Sequence, residues 1–258
     1  MTSPIPRRAV PSDRVIPQRP APSSDVTWEV IAPTKEADLP PLDLELSGWE
    51  IHHRRPSHLN AVLRRNGRRY HLKWFFHGRL WPRPSPAEKE HRNALRVSDL
   101  GIPTVVPVGW GRHPRGTFFV MEGSPGHAIY DIEPRPTISI LRSIAAELGR
   151  YVARLHDARI CHRDLYVDHV LIDGDSARLI DLGRARSFLR RRWILKDLGG
   201  LLFSSWREGL PQELSRAFLR SYLRASRRSW NRKRLLRSIV RKARAYERRD
   251  QARKSRRR

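Results

Sequence analysis

Short apolar runs punctuated by turn signals fill the first half of the chain. "NAVLRR" runs into Asn66-Gly67 and "RRYHLKWFF" runs out of it. Asn-Gly readily takes the positive φ angles of a tight turn, so residues 60–76 are predicted as a β-hairpin. "WPRPSP" breaks the second strand, and a helix is expected after it, with Ser85 at the N-cap, Pro86 at the first helical position and Glu88 closing a capping box. That helix should end before Gly101. "TVVPVGWG" and "TFFVMEG" then read as two strands joined by "RHPRG". From Thr137 to about Asp157, Leu141, Ile144, Leu148, Val152 and Leu155 recur at helical spacing. "HVLID", "GDSA" and "RLIDLG" form a second predicted hairpin, and the rest is helical and heavily basic, ending in "RKARAYERRDQARKSRRR". No internal repeat is visible.

This order predicts an α+β architecture of two lobes with a ligand cleft between them. Residues 1–42, rich in Pro, Ser and Arg and without apolar periodicity, are expected to be disordered. Residues 43–123 make a small β-rich lobe, 124–240 a helical lobe, and 241–258 a basic tail.

Charge sharpens the picture. The 258 residues carry a formal net charge of +26. From Arg184 onward there are 26 of the 52 Lys and Arg residues against five acids. Such a half-chain points to a polyanionic partner: an anionic membrane surface, a phosphorylated glycan or nucleic acid. The single cysteine, Cys161, excludes an internal disulfide and fits a reducing compartment. The first thirty residues lack a continuous apolar stretch of the secretory type, and no apolar run approaches the ~18 residues of a spanning helix. A cytoplasmic protein, soluble or peripheral, is expected.

Four charged positions stand out on this outline. Lys73, in "YHLKWFF", is a lysine in a chain that prefers arginine, and a compact ammonium suits a phosphate. Glu90 shares a helix face with Ala94 and Val97, so it should point inward and need a partner, for which Lys73 is the candidate. Asp164, in "CHRDLYVDHVLID", follows a long amphipathic helix and precedes a hairpin, which would hold its carboxylate at the cleft mouth as a base for a hydroxyl. Asp181, in "LIDLG", ends the returning strand, with Gly183 expected to let the backbone turn sharply; its oxygens suit Mg²⁺. In this order and on these elements, the set matches that of protein kinases.

"HRDLYVDH", "LIDLGRAR", "KDLGGLLFSS" and "EHRNALRVSDLGIPTVVPVGWG" resemble, more specifically, the lipopolysaccharide core kinase family. That resemblance spans roughly residues 50–205. It implies a protein-kinase-like fold with a minimal activation segment, ATP and Mg²⁺, and a heptose or 3-deoxy-manno-octulosonate glycolipid as acceptor. It further implies that Lys73 holds the α- and β-phosphates, paired by Glu90, that Asp164 is the catalytic base, and that Asp181 ligates Mg²⁺. Asp197 would brace the catalytic loop, and the backbone at Glu122 and Gly123 would be the hinge facing adenine.

Two departures follow from the residues themselves. His169 stands where protein kinases carry a metal-binding Asn, and it has three readings: a metal ligand, a contact to a phosphate oxygen, or packing. Asp168 could substitute for it as ligand. No glycine-rich loop covers the phosphates, a role left to Ser57 and nearby amides. His162 and Arg163 are read as architectural, and Cys161 as a small buried residue. Thirteen residues separate Gly183 from Asp197, too few for a peptide-docking groove, so a sugar acceptor is favoured over a protein. "GRARSFLRRRW" is either an anion site for the acceptor or a solvated turn. The basic tail fits anionic lipid on the inner face of the cytoplasmic membrane, or nucleic-acid phosphates, or is a plain disordered Arg-rich tail. Two alternative functions stand beside this one: a catalytically silent binding module, favoured by the two departures and opposed by Lys73, Glu90, Asp164 and Asp181, and a kinase for another small molecule or a protein.

Overall fold

The structure, a computed structural model, describes residues 27–30, 48–65, 67–76, 84–113, 115–124, 126–187 and 190–256. Most of the segment read as disordered, Asn66 of the predicted turn and the first half of the "WPRPSP" break lie outside these residues.

Strands β1 (Thr27–Val30), β2 (Glu50–Arg54), β3 (His58–Arg65), β4 (Arg68–Phe76), β5 (Pro107–His113) and β6 (Gly116–Glu122) form one sheet in the order β1-β5-β6-β4-β3-β2. Every neighbouring pair is antiparallel. The presence of β1 corrects the expectation for residues 1–42: "TWEV" pairs with β5, Thr27 opposite Arg112. Four residues of strand within a Pro-rich stretch are too few to show a period.

Strand β4 shows how the sheet aims its chemistry. Side chains alternate between faces. Tyr70, Leu72 and Trp74 are buried on one face, with Trp49, Leu59, Phe118 and Val120. His71, Lys73 and Phe75 take the other face and are only partly buried. Helix α1 (Pro86–Asp99) begins as predicted, with Ser85 and Glu88 forming a reciprocal capping box. Its Ala87, Ala94 and Val97 join Phe119 in the larger core.

That core continues through the helices α2 (Ile138–Asp157), α3 (Arg191–Arg207), α4 (Gln212–Ala225) and α5 (Arg232–Ser255). A second sheet orders β7 (His127–Ala128), β8 (Val170–Asp173) and β9 (Ser176–Leu179). Gly149 lets α2 and α4 touch backbone to backbone: a Cβ there would lie 2.4 Å from the Phe218 carbonyl oxygen. The expected boundary between helical lobe and basic tail, at 240/241, falls inside α5. Leu235, Ile239 and Ala243 are buried at i, i+4 and i+8, and this narrow apolar stripe keeps a very basic helix packed.

Candidate active site

Three elements bring three charges together. Lys73 Nζ, from β4, donates to Glu90 Oε1 of α1 at 2.5 Å and to Asp181 Oδ1, just beyond β9, at 3.0 Å. Burial disfavours the Lys73 ammonium, yet the Glu90 and Asp181 carboxylates outweigh it and hold its pKa above the ordinary lysine value. The balance at Asp181 runs the same way. Burial raises its pKa, but Lys73 and His169 draw it down to about 2.

Asp181 has a left-handed backbone, with φ of 59°, a conformation that Asp adopts more readily than most residues. Gly183 corrects the expectation that it supplies the turn. The positive φ belongs to Asp181, and Gly183 instead leaves room for a carboxylate: a Cβ on it would stand 3.0 Å from Glu90 Oε2.

Asp164 faces this group from the loop after α2. Its side chain is mostly buried, its Oδ1 lies 3.4 Å from Arg184 Nη1, and its carbonyl accepts a hydrogen bond from His169 Nδ1 at 2.7 Å. The carbonyl fixes the proton on Nδ1 and leaves Nε2 turned to Asp181 Oδ2, 3.4 Å away. Donor atoms of Asp164, His169 and Asp181 all lie within 4.8 Å of one another. An imidazole held through its other nitrogen beside two carboxylates is a set of atoms that could hold a divalent cation. Asp168 is not part of it: its carboxylate pairs with Arg207 at 2.7 Å.

The loop is held from below. Asp197 on α3 is fully buried and accepts from the consecutive backbone N–H groups of His162, at 2.8 Å, and Arg163, at 2.7 Å. Its Oδ2 also lies 3.3 Å from His156 Nε2, whose Nδ1 meets the Tyr222 hydroxyl at 3.0 Å. Those two amide bonds anchor Arg163 in a left-handed conformation, with φ of 68°. His162 donates to the Ile180 carbonyl at 3.0 Å, and its burial pushes the imidazole pKa down, so it is a neutral strut. Burial pushes the Cys161 thiol up to about 11, which makes it inert.

At the sheet's end, the Glu122 N–H donates to Val106 O at 2.9 Å and the Gly123 N–H to Arg69 O at 2.5 Å. A Cβ on Gly123 would come within 2.9 Å of that same Arg69 oxygen, so this crossing into the helical part requires glycine. The β2–β3 turn is tied to the sheet by its backbone, Phe76 N–H to Ser57 O at 3.0 Å, while Ser57 Oγ meets His58 Nδ1 at 3.0 Å. Sequence reasoning missed Asn93. From the buried face of α1 its Nδ2 donates to Leu182 O at 2.8 Å and Ala185 O at 3.1 Å, clamping the segment after Asp181 to the helix that carries Glu90. A buried amide three residues from Glu90 on one face was its signal.

Residues 133–222 match the Lipopolysaccharide kinase (Kdo/WaaP) family. The resemblance drawn from the motifs is thus borne out. The chain is 33% identical over 158 residues to the lipopolysaccharide core heptose(I) kinase WaaP of Escherichia coli (strain K12), covering 53% of this chain and 59% of that one. It is 30% identical over 159 residues to the WaaP of Pseudomonas aeruginosa, covering 54% and 59%. The match therefore spans less than two thirds of these relatives' length. Among solved structures, an aminoglycoside-3'-phosphotransferase of type VIII superposes with a TM-score of 0.53 at 18% identity, over 76% of this chain and 94% of that one. The aminoglycoside phosphotransferase APH(3'')-Id from Streptomyces rimosus gives 0.51 at 18%, over 74% and 90%. These likenesses establish the α+β, protein-kinase-like fold. Asp164, His169, Asp181 and Asp197 lie inside the matched Kdo/WaaP segment, whereas Lys73 and Glu90 lie before it.

Proposed function

We propose that the protein is an ATP-dependent phosphotransferase that phosphorylates a sugar hydroxyl of a lipopolysaccharide-core-like glycolipid. The observation that carries this reading is the Lys73 ammonium held between Glu90 and Asp181, with the Asp164 carboxylate across the same small space.

In this reading Lys73 binds the α- and β-phosphates, and Glu90 fixes its position and charge. Asp164 accepts the proton of the attacking sugar hydroxyl, oriented by the loop that Asp197 braces. Asp181 and His169 hold Mg²⁺, which neutralises phosphate charge when bound. His169 is the softer member of that set, since Mg²⁺ prefers oxygen. The strand end at Glu122 and Gly123 borders the adenine. Arg55 lies in the β2–β3 turn, its Nε donating to His53 Nε2 at 2.7 Å, and it supplies a cation where a glycine-rich loop would supply amides. No helix among the described residues is long and apolar enough to cross a membrane. Attachment to the inner face of the cytoplasmic membrane would rest on the basic surface of α5.

Calorimetric titration of Mg-ATP into the wild type and Asp181→Ala tests the nucleotide site. Binding that needs Mg²⁺ and weakens in the variant supports the proposal. Absence of binding at millimolar nucleotide, in a demonstrably folded protein, moves the reading to a silent module. Transfer of radiolabelled phosphate to lipopolysaccharide core stripped of its phosphates then tests the acceptor.

A further inference from the structure

Helix α3 carries two adjacent glycines, Gly199 and Gly200, just after the Asp197 that braces the catalytic loop. Glycine is a poor helix former, so a pair of them in the middle of a 17-residue helix needs a packing reason. Each has one. A Cβ on Gly199 would lie 2.6 Å from Lys242 Cγ of α5. A Cβ on Gly200 would lie 2.9 Å from the Leu165 carbonyl oxygen and 3.4 Å from Tyr166 Cε1. The pair thus lets α5 and the catalytic loop lie close against neighbouring positions of one helix.

The helix and the loop meet through Tyr246. It stands three residues after Ala243 on α5, and so extends the buried stripe of Leu235, Ile239 and Ala243. Its ring lies edge-on to that of Tyr166, centroids 6.2 Å apart at 73°, and 5.9 Å from that of Phe203 on α3. Lys242 Nζ stands 5.2 Å from the centre of the same ring, and the hydroxyls of Tyr166 and Tyr246 are hydrogen-bonded to each other. Tyr166 in turn sits edge-on to His169, again at 6.2 Å and 73°. His162 flanks the same imidazole, nearly parallel at 16°, with centroids 6.1 Å apart.

The Asp164 carbonyl holds His169 by Nδ1 alone. A single hydrogen bond fixes one point of a ring, and the tilt that decides where Nε2 points is set by the groups packed against it. We propose that Tyr246 is a positioning residue for the candidate metal set. Its ring seats Tyr166, Tyr166 sets the tilt of His169, and Nε2 is thereby aimed at the space shared with the Asp164 and Asp181 carboxylates. The role rests on the phosphotransferase reading, and it makes the basic helix α5 a support of the site.

The test uses the full chain, with Tyr246→Leu, Tyr246→Phe, Tyr166→Leu, the double Leu variant and, as a control for lost packing on the same helix, Ile239→Val. The ring resonances of His169, assigned by their loss in His169→Gln, are followed by NMR without metal or nucleotide. They should shift or broaden in Tyr246→Leu and keep their place in Ile239→Val. ATP is then titrated by calorimetry at a series of Mg²⁺ concentrations. The Mg²⁺ needed for half-maximal ATP affinity should rise about tenfold in Tyr246→Leu, the low end for a group acting behind a metal ligand. Tyr246→Phe keeps the ring and should stay within about twofold of the wild type. Tyr166→Leu should give the same rise as Tyr246→Leu, and the double variant no more than either, because all three break one chain of contacts. A general loss of stability lowers the folded fraction and leaves the Mg²⁺ requirement of the folded protein alone, so Ile239→Val should match the wild type. Unmoved His169 resonances or an unchanged Mg²⁺ requirement in Tyr246→Leu, additive effects in the double variant, or an equal rise in Ile239→Val overturns the positioning role and leaves the nucleotide site standing. A wild type that binds no ATP, or binds it without regard to Mg²⁺, overturns the phosphotransferase reading and this role with it.

Discussion

Lys73 Nζ lies 2.5 Å from Glu90 Oε1, joining a strand to a helix 17 residues further along the chain. Glu90 is buried, and Lys73 is the cation that compensates it. The contact fixes how α1 sits on the sheet, and it positions both groups relative to Asp181.

Removing one partner of a buried pair costs more than the pair itself contributes, because the remaining charge is stranded. Lys73→Met should therefore destabilise the protein by about 3 kcal/mol in urea unfolding. The double variant Lys73→Met with Glu90→Gln should recover part of that loss. An unchanged urea midpoint in Lys73→Met would show that water, not Lys73, answers the Glu90 charge.

Asp164 bears little structural load through its side chain, whose contact is Arg184 at 3.4 Å. Asp164→Asn should thus fold normally and bind Mg-ATP, while phosphate transfer falls about 10²- to 10⁴-fold, the usual contribution of a positioned general base. Full transfer activity in that variant would take the base role away from Asp164.

Asp197 is the opposite case. Asp197→Ala leaves the buried N–H groups of His162 and Arg163 without an acceptor, at roughly 1–3 kcal/mol each. Loss of cooperative unfolding, or a fall in Tm well beyond that of Asp164→Asn, is expected. A Tm equal to that of the wild type would mean that another group supports the loop.

What could be read from the sequence follows the range of each signal. Ser85, Pro86 and Glu88 act within one helical turn, so the start of α1 was legible to the residue. The convergence of Lys73, Glu90, Asp164 and Asp181 was legible because each sits on an element whose type shows locally and whose order is that of a known pattern. Asn93 was not, since its partners are the carbonyls of Leu182 and Ala185, about ninety positions away. Gly183 was misread because a glycine's spelling does not reveal whether it serves a positive φ or the closeness of Glu90. β1 escaped for want of length, and the tail was split from α5 because three apolar positions barely mark a helix among so many arginines.

His71 lies on the same face of β4 as Lys73. Burial, then Arg69, His52 and Lys73, push its pKa down to about 4. The unfolded chain, with an ordinary value near 6.5, binds a proton before the folded one does. Stability should therefore rise between pH 4 and 6.5 through this group and be unaffected by it above that window. Urea midpoints across pH 4–7 should show the slope in the wild type and a reduced slope in His71→Phe. Equal slopes would place His71 in solvent.

Arg237, Arg241, Arg244 and Arg248 recur at i, i+4, i+7 and i+11 along α5, all exposed, beside an exposed Leu236. The spacing puts the four guanidinium groups on one face, and the buried Leu235, Ile239 and Ala243 hold the opposite side to the core. A rigid cationic face next to an apolar side chain suits an anionic bilayer better than scattered charges would. Each such residue near the surface is worth about 1 kcal/mol. Replacing all four with Gln should thus lower the partition onto phosphatidylglycerol vesicles by about 10²- to 10³-fold, allowing for incomplete additivity. Binding should fall as salt is raised and should be absent on purely zwitterionic vesicles. Equal sedimentation with both vesicle types, or with neither, would remove the membrane from the proposal. A tighter hold on duplex or single-stranded nucleic acid, lost in the same variant, would transfer this face to nucleic acid instead.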